Sequence, residues 1–193
     1  TAERGGLMGN RGILHDRDRR LGVSRWKHPH WVCCRLAFLG RHRPVMKPGR
    51  YTELFFLDEA TALAAGHRPC AECRRADYTR FLDAWTAAHG ARPSAPNLDR
   101  RLHPERVTRR RAQVRFEALL GQLPPGTMVV LPADETTPWL VWGGRLWRWS
   151  FRGYGEWQPP GSARTVTVLT PRPIVEALVA GYRPSIDASV DAG

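Results

Sequence analysis

The spacing of apolar and polar residues predicts a mixed helix and strand protein. Residues 1–25 show little periodicity. Gly5, Gly6, Gly9 and Gly12 and the charged run at 16–20 predict an irregular Arg-rich arm reaching to residue 30. The stretch 31–39 is mostly apolar between His30 and the triplet Arg41-His42-Arg43, and reads as a buried strand. After the Pro48-Gly49 turn, residues 51–57 read as a second strand. Asp58 stands where an N-cap belongs, for a helix stopped by Gly66 and Pro69. From about 74 to 88, Tyr78, Phe81, Leu82 and Trp85 recur at helical spacing and predict one amphipathic face.

Pro93 and Pro96 mark residues 91–100 as a linker, and a helix is expected from about Pro104 to Leu120. Beyond Pro124-Pro125-Gly126 the pattern turns to strands at 127–131, 139–142, 145–150 and 165–169. Gly143-Gly144 is a hairpin signal inside that run. A closing helix at 174–180 and a frayed tail over 185–193 complete the reading. The expectation is an α+β protein in which a domain over 31–90 is joined by the linker to a helix and antiparallel β module over 101–184.

The hydrophobic fraction is 42% and excludes a disordered chain. No apolar run reaches the ~18 residues of a membrane span. The start of the sequence lacks the apolar stretch of a secretory signal. The reading therefore expects a cytoplasmic protein without a membrane partner. Net charge is +12, with 30 cationic residues against 18 acids, and Lys27 and Lys47 are the lysines. Arginine-rich surfaces bind phosphates bidentately and release their counterions, so the expected partner is nucleic acid.

Four cysteines occur as Cys33-Cys34 and Cys70-x-x-Cys73. Two thiols with two residues between them at a helix entry form half of a tetrahedral metal site. The flanking Arg68, Arg74 and Arg75 favour the thiolates that a metal needs. No βαβ pattern precedes the pair, which argues against a thioredoxin-like redox motif. The other half of the site has to come from upstream.

From Tyr51 to Cys73 runs an aromatic pair at a strand end, an Ala-rich helix, and then Ala-Gly-His-Arg-Pro-Cys-Ala-Glu-Cys. This stretch resembles the N-terminal metal-binding domain of the Ada family, bacterial proteins that repair methylphosphotriesters in DNA. The resemblance covers about 25 residues without a gap and extends loosely over 31–75. It implies a small zinc-binding α/β domain at 31–90, DNA in preference to RNA, and a bacterial, nucleoid-associated protein. In that family four cysteines bind zinc, the upstream two are spaced Cys-x3-Cys, and one zinc-bound thiolate accepts the methyl group. Here Cys33-Cys34 replaces the spaced pair, and counting back from Phe55 puts the family's other upstream ligand near His42. The resemblance therefore implies Cys34, His42, Cys70 and Cys73 as ligands, with Cys33 an alternative for Cys34, and His30 or His67 for His42.

Arg41, Arg43, Arg68, Arg74 and Arg75 flank this site, and Arg106, Arg109 and Arg110 share one face of the expected later helix, so these are the candidate phosphate contacts. His103 and Glu105, beside Pro104 at that helix's entry, are the candidate catalytic pair. Trp139, Trp142, Trp147, Trp149 and Trp157 are either a stacking surface or the core of a small sheet. Three function classes result. The first is a zinc-containing DNA-binding protein that recognises damaged or modified DNA. The second is an enzyme on nucleic acid, repairing phosphotriesters through a zinc thiolate or cutting through His103 and Glu105. The third is a structural zinc scaffold for a protein partner.

Overall fold

The computed structural model describes residue 3 and residues 5–40, 44–161 and 164–191. Among the described residues, two sheets and four α-helices enclose three apolar clusters. The first sheet is built from β1 (Leu7–Asn10), β2 (Val32–Arg35), β3 (Glu53–Phe56) and β4 (Arg68–Pro69), in the order β3-β1-β2-β4. Its central strand lies inside the stretch expected to be an irregular arm. Four residues with a glycine carry too little alternation to announce a strand, but Gly9 is required there. A Cβ at that position would stand 2.4 Å from the Phe56 ring and 3.0 Å from His67. The strand expected over 31–39 is confined to Val32–Arg35.

Helix α1 (Glu59–Ala64) starts at Asp58, whose carboxylate accepts from the Thr61 amide. The Thr61 hydroxyl in turn accepts from the Asp58 amide, so the N-terminus is closed reciprocally. Helix α2 (Arg75–His89) buries Tyr78, Phe81, Leu82 and Trp85 and ends at Gly90 with φ 84°, as its spacing predicts.

The expected linker is instead mostly helix. Helix α3 (Ala95–Arg106) is capped by Ser94, carries Pro96 in its first turn, and buries Leu98, Asp99 and Leu102 on one face. Pro104 is tolerated near its C-terminal end because that side of the helix is exposed. The helix stops where Val107 turns extended, so the expected 104–120 helix does not form.

The second sheet is entirely antiparallel. It contains β5 (Phe116–Leu119), β6 (Met128–Leu131), β7 (Asp134–Trp142), β8 (Arg145–Ser150), β9 (Gly153–Gln158) and β10 (Thr165–Val168), in the order β5-β10-β6-β7-β8-β9. Gly143 and Gly144, both at positive φ, close the β7–β8 hairpin. Met128, Val130, Leu140, Trp147 and Tyr154 pack on one face against Ala60 and Ala64 of α1. Val129, Val141, Leu146, Val166 and Val168 pack on the other with Val175 of α4 (Arg172–Val179). Trp147 is buried and Trp149 packs beside it, so this part of the tryptophan cluster is core. Trp157, 43% exposed, carries Arg145 over its ring.

The two expected modules are one structure. Leu63 of α1, the buried face of α2, Leu98 and Leu102 of α3, and Ile174, Ala177 and Leu178 of α4 form a common helical core with Tyr182. Nor does the described part of the expected tail, 185–191, fray. The Ser185 amide donates to Glu59, the Asp187 amide donates to Asp58, and the Tyr154 and Tyr182 hydroxyls bind Asp58 and Glu59. Two buried carboxylates at the start of α1 thus anchor β9 and the C-terminal segment. The stretch Gly153-Tyr154-Gly155, which suggests a turn presenting a tyrosine, is a strand with Tyr154 buried. Among the described residues no helix is long and apolar enough to cross a membrane.

Candidate metal centre

Successive residues of a strand face opposite sides of its sheet, which separates the adjacent cysteines. Cys34 is paired across β1 with Met8, and Met8 with Phe55 on β3, so these three share one face. Cys33 faces the other side, fully buried, where Nη1 of Arg74 donates to its sulfur at 2.9 Å. Burial pushes the Cys33 thiol up to about 12 even with Arg74 beside it. The choice between the two cysteines therefore falls on Cys34.

Parallel pairing of β4 with β2 delivers the other two sulfurs. The Arg68 amide donates to the Trp31 carbonyl at 3.1 Å and the Cys70 amide to the Cys33 carbonyl at 3.0 Å, which sets Cys70 beside Cys34. The chain then turns tightly, with the Arg74 amide donating to the Cys70 carbonyl, and Cys73 comes round to the same point. The sulfurs of Cys34, Cys70 and Cys73 all lie within 4.8 Å of one another. A tetrahedral ion with metal–sulfur bonds of ~2.3 Å holds its sulfurs ~3.8 Å apart, so small side-chain rotations close the set.

The turn also prepares the thiols for deprotonation. The Glu72 amide donates to the Cys70 sulfur at 3.4 Å. A hydrogen bond from the Cys34 thiol, helped by the amides of Cys73 and Glu72, draws Cys70 down to about 5 against the opposing effect of burial. Cys34 moves upward because it keeps the proton of that shared hydrogen bond and is itself desolvated. Burial also raises Cys73. The trio thus loses its first proton at Cys70, and a cation in its midst would displace the others. Three soft donors within one sphere, served by amide donors, can hold a metal ion. The cluster opens into a cavity of about 500 Å3, whose walls include Met8, Val32, Phe38, Tyr51 and Phe55.

The remaining candidates fall in three groups. His42, Arg41 and Arg43 lie outside the described residues. His30 and His67, the alternatives for His42, are not among the converging ligands. His30 donates or accepts through Nδ1 with Asp99 at 3.0 Å, and His67 is buried behind the sheet against Phe56. Arg75, Arg109 and Arg110 are exposed, as phosphate contacts must be.

Arg68, Arg74 and Arg106 are corrections, because all three are buried and already paired. Arg68 grips Asp99 through two hydrogen bonds. Arg74 binds Glu59 at 2.9 Å and Asp77 at 2.8 Å. Arg106 donates to the Pro29 carbonyl at 2.8 Å, and its side chain fills the space above Gly66. With α3 ending at Arg106, Arg106, Arg109 and Arg110 share no helical face. His103 sits edge-on to both Trp26 and Trp31, and Glu105, two positions further along the same helix, projects from a different side.

Sequence reasoning missed β1, which supplies Met8 and Asn10 to the cavity, and it missed the role of Arg74 as a clamp between Cys33 and Glu59. The first left no periodic signal; the second depends on long-range packing. No protein-family model, no curated protein and no solved structure matches the chain.

Proposed function

We propose that the chain is a zinc-containing DNA-binding protein, in which the metal, held by Cys34, Cys70, Cys73 and His42, organises the fold of a basic surface. The convergence of three sulfurs from two separate segments carries this reading. Soft thiolates in a tetrahedral arrangement select zinc among abundant divalent ions. The Ada-like sequence from Tyr51 to Cys73 supports it independently, as does the net charge of +12. Protein purified without chelator is expected to contain one zinc per chain and to bind duplex DNA with strong salt dependence. Absence of metal, or binding that hardly changes between low and high salt, contradicts the proposal.

One observation favours a second reading, repair of methylated phosphates by a zinc-bound thiolate. Cys34 lines the cavity wall, where a substrate group could reach its sulfur. Hydrolysis through His103 and Glu105 has no comparable support, because the two side chains do not converge. The scaffold reading loses much of its Trp-rich surface to the core.

A further inference from the structure

Two short turns, whose matching positions lie 92 residues apart in sequence, are built alike. In the first, antiparallel pairing of His15 with Leu21 closes a loop in which the Asp16 amide donates to the Arg20 carbonyl and the Arg19 amide to the Asp16 carbonyl. In the second, Val107 pairs with Gln113, the Thr108 amide donates to the Ala112 carbonyl, and the Arg111 amide to the Thr108 carbonyl. In each, the first residue's side chain accepts from the fifth residue's amide, Asp16 from Arg20 at 2.9 Å and Thr108 from Ala112 at 3.2 Å. In each, the fourth residue is left-handed, Arg19 at φ 62° and Arg111 at φ 65°.

This is the three-residue hairpin whose fourth position normally takes glycine or asparagine. Arginine there runs against local preference, and it does so twice. Nη1 of Arg111 also donates to the Val23 carbonyl at 3.0 Å, which ties the second turn to the chain just beyond the first. Arg17, Arg19, Arg20, Arg25, Arg109 and Arg110 are exposed, and none of the ion pairs among the described residues engages them. Asp16 spends its carboxylate on backbone amides, which leaves Asp18 as the acid at the first tip. Both bases are anchored by side-chain hydrogen bonds. The first is held by Thr52, which accepts from the Leu14 amide at 2.8 Å. The second is held by Gln113, which donates to the Ala64 and Leu169 carbonyls at 3.0 Å.

We infer that these paired arginine hairpins grip the phosphate backbone of a nucleic acid duplex. The inference rests on the nucleic-acid reading above and moves the contact from the metal site's flank to the two tips. Guanidiniums on anchored turns bring bidentate donors to two places at once, which suits a regular row of phosphates better than a fluid anionic surface.

The test compares the protein with a variant carrying Arg17→Ala, Arg20→Ala, Arg109→Ala and Arg110→Ala, binding a 20-base-pair duplex between 50 and 200 mM salt. The salt exponent is expected to fall by about 3 to 4, with zinc content and melting temperature unchanged. Arg19→Gly is expected to leave the melting temperature equal or higher while weakening binding, which no purely structural role predicts. An unchanged exponent in the fourfold variant overturns the inference and leaves DNA binding intact. A protein that binds no duplex at all overturns both. Capture by phosphatidylserine vesicles, abolished in the variant, while duplex binding is unaffected, assigns the tips to a membrane surface and overturns it as well.

Discussion

Arg68 and Asp99 meet through two parallel hydrogen bonds, 2.9 Å from Nε to Oδ1 and 2.7 Å from Nη2 to Oδ2, with both side chains buried. This pair ties β4, which delivers Cys70, to α3. It also has to neutralise a neighbourhood rich in cations, since Arg106 stands 3.5 Å from the same carboxylate. Removing one partner of a buried ion pair leaves the other desolvated and uncompensated. Asp99→Asn is expected to lower stability by about 3–5 kcal/mol in urea unfolding at neutral pH. Combining it with Arg68→Met should recover part of that loss.

The two adjacent cysteines should behave oppositely. Cys34 converges with Cys70 and Cys73, whereas Cys33 lies behind the sheet on Arg74. Cys33→Ala is expected to keep a full complement of metal and lose stability only through packing and its contact with Arg74. Cys34→Ala and Cys70→Ser should lose the metal and melt at a markedly lower temperature, as removal of a structural ion does. Elemental analysis of the three variants alongside thermal melts decides the point.

These contrasts show where the sequence was readable. Asp58, Gly66 and the face from Tyr78 to Trp85 act through their nearest neighbours, and their elements formed where their chemistry puts them. Cys70 and Cys73 were legible for the same reason, as two thiols on one turn. The fates of Arg68, Arg74 and Arg106 were not, because an arginine pattern looks alike whether it faces solvent or a buried carboxylate. Asp99 lies 31 residues from Arg68, Glu59 lies 15 from Arg74, and the Pro29 carbonyl that Arg106 holds lies 77 away. The helix expected over 104–120 does not form, because Ser94 caps an earlier helix in which Pro104 falls near the end and which stops at the extended Val107.

Acid should destabilise the fold through His67. It is fully buried between Phe56 and Trp31, beside Arg11 and Arg106, and burial together with those two cations holds it well below 6.5. Burial also lowers His28 and His103. In the unfolded chain these imidazoles protonate near 6.5. The unfolded state therefore binds more protons, and stability present above about pH 6.5 is lost as pH falls toward the lower folded values. Each such group contributes a slope of up to about 1.4 kcal/mol per pH unit in that window. Urea unfolding between pH 7.5 and 5.5 should show the decline, and His67→Gln should flatten it. A stability that is level across that range contradicts the assignment.

Methyl transfer from a methylphosphotriester is expected to be weak or absent. A zinc-bound thiolate attacks carbon well when surplus negative charge on the centre keeps electron density on sulfur. Three thiolates with a neutral imidazole leave one negative charge fewer than four thiolates do. The amide donated to Cys70 by Glu72 further quiets that sulfur, which fits a structural role for Cys70 and Cys73. Cys34 lines the same cavity as Cys70 and Cys73, and of the three it is the one supplied by a strand, on the half-buried face it shares with Met8 and Phe55. If any cysteine accepts the group, it is Cys34, through attack of its sulfur on the methyl carbon as the phosphate oxygen leaves with the bonding pair. Incubating the zinc-loaded protein with DNA bearing a methylphosphotriester, and weighing its peptides afterwards, gives the answer. No mass change is the expected outcome. A stoichiometric gain of one methyl group on Cys34, lost in Cys34→Ala, would instead make repair the protein's function and reduce DNA binding to the way it holds its substrate.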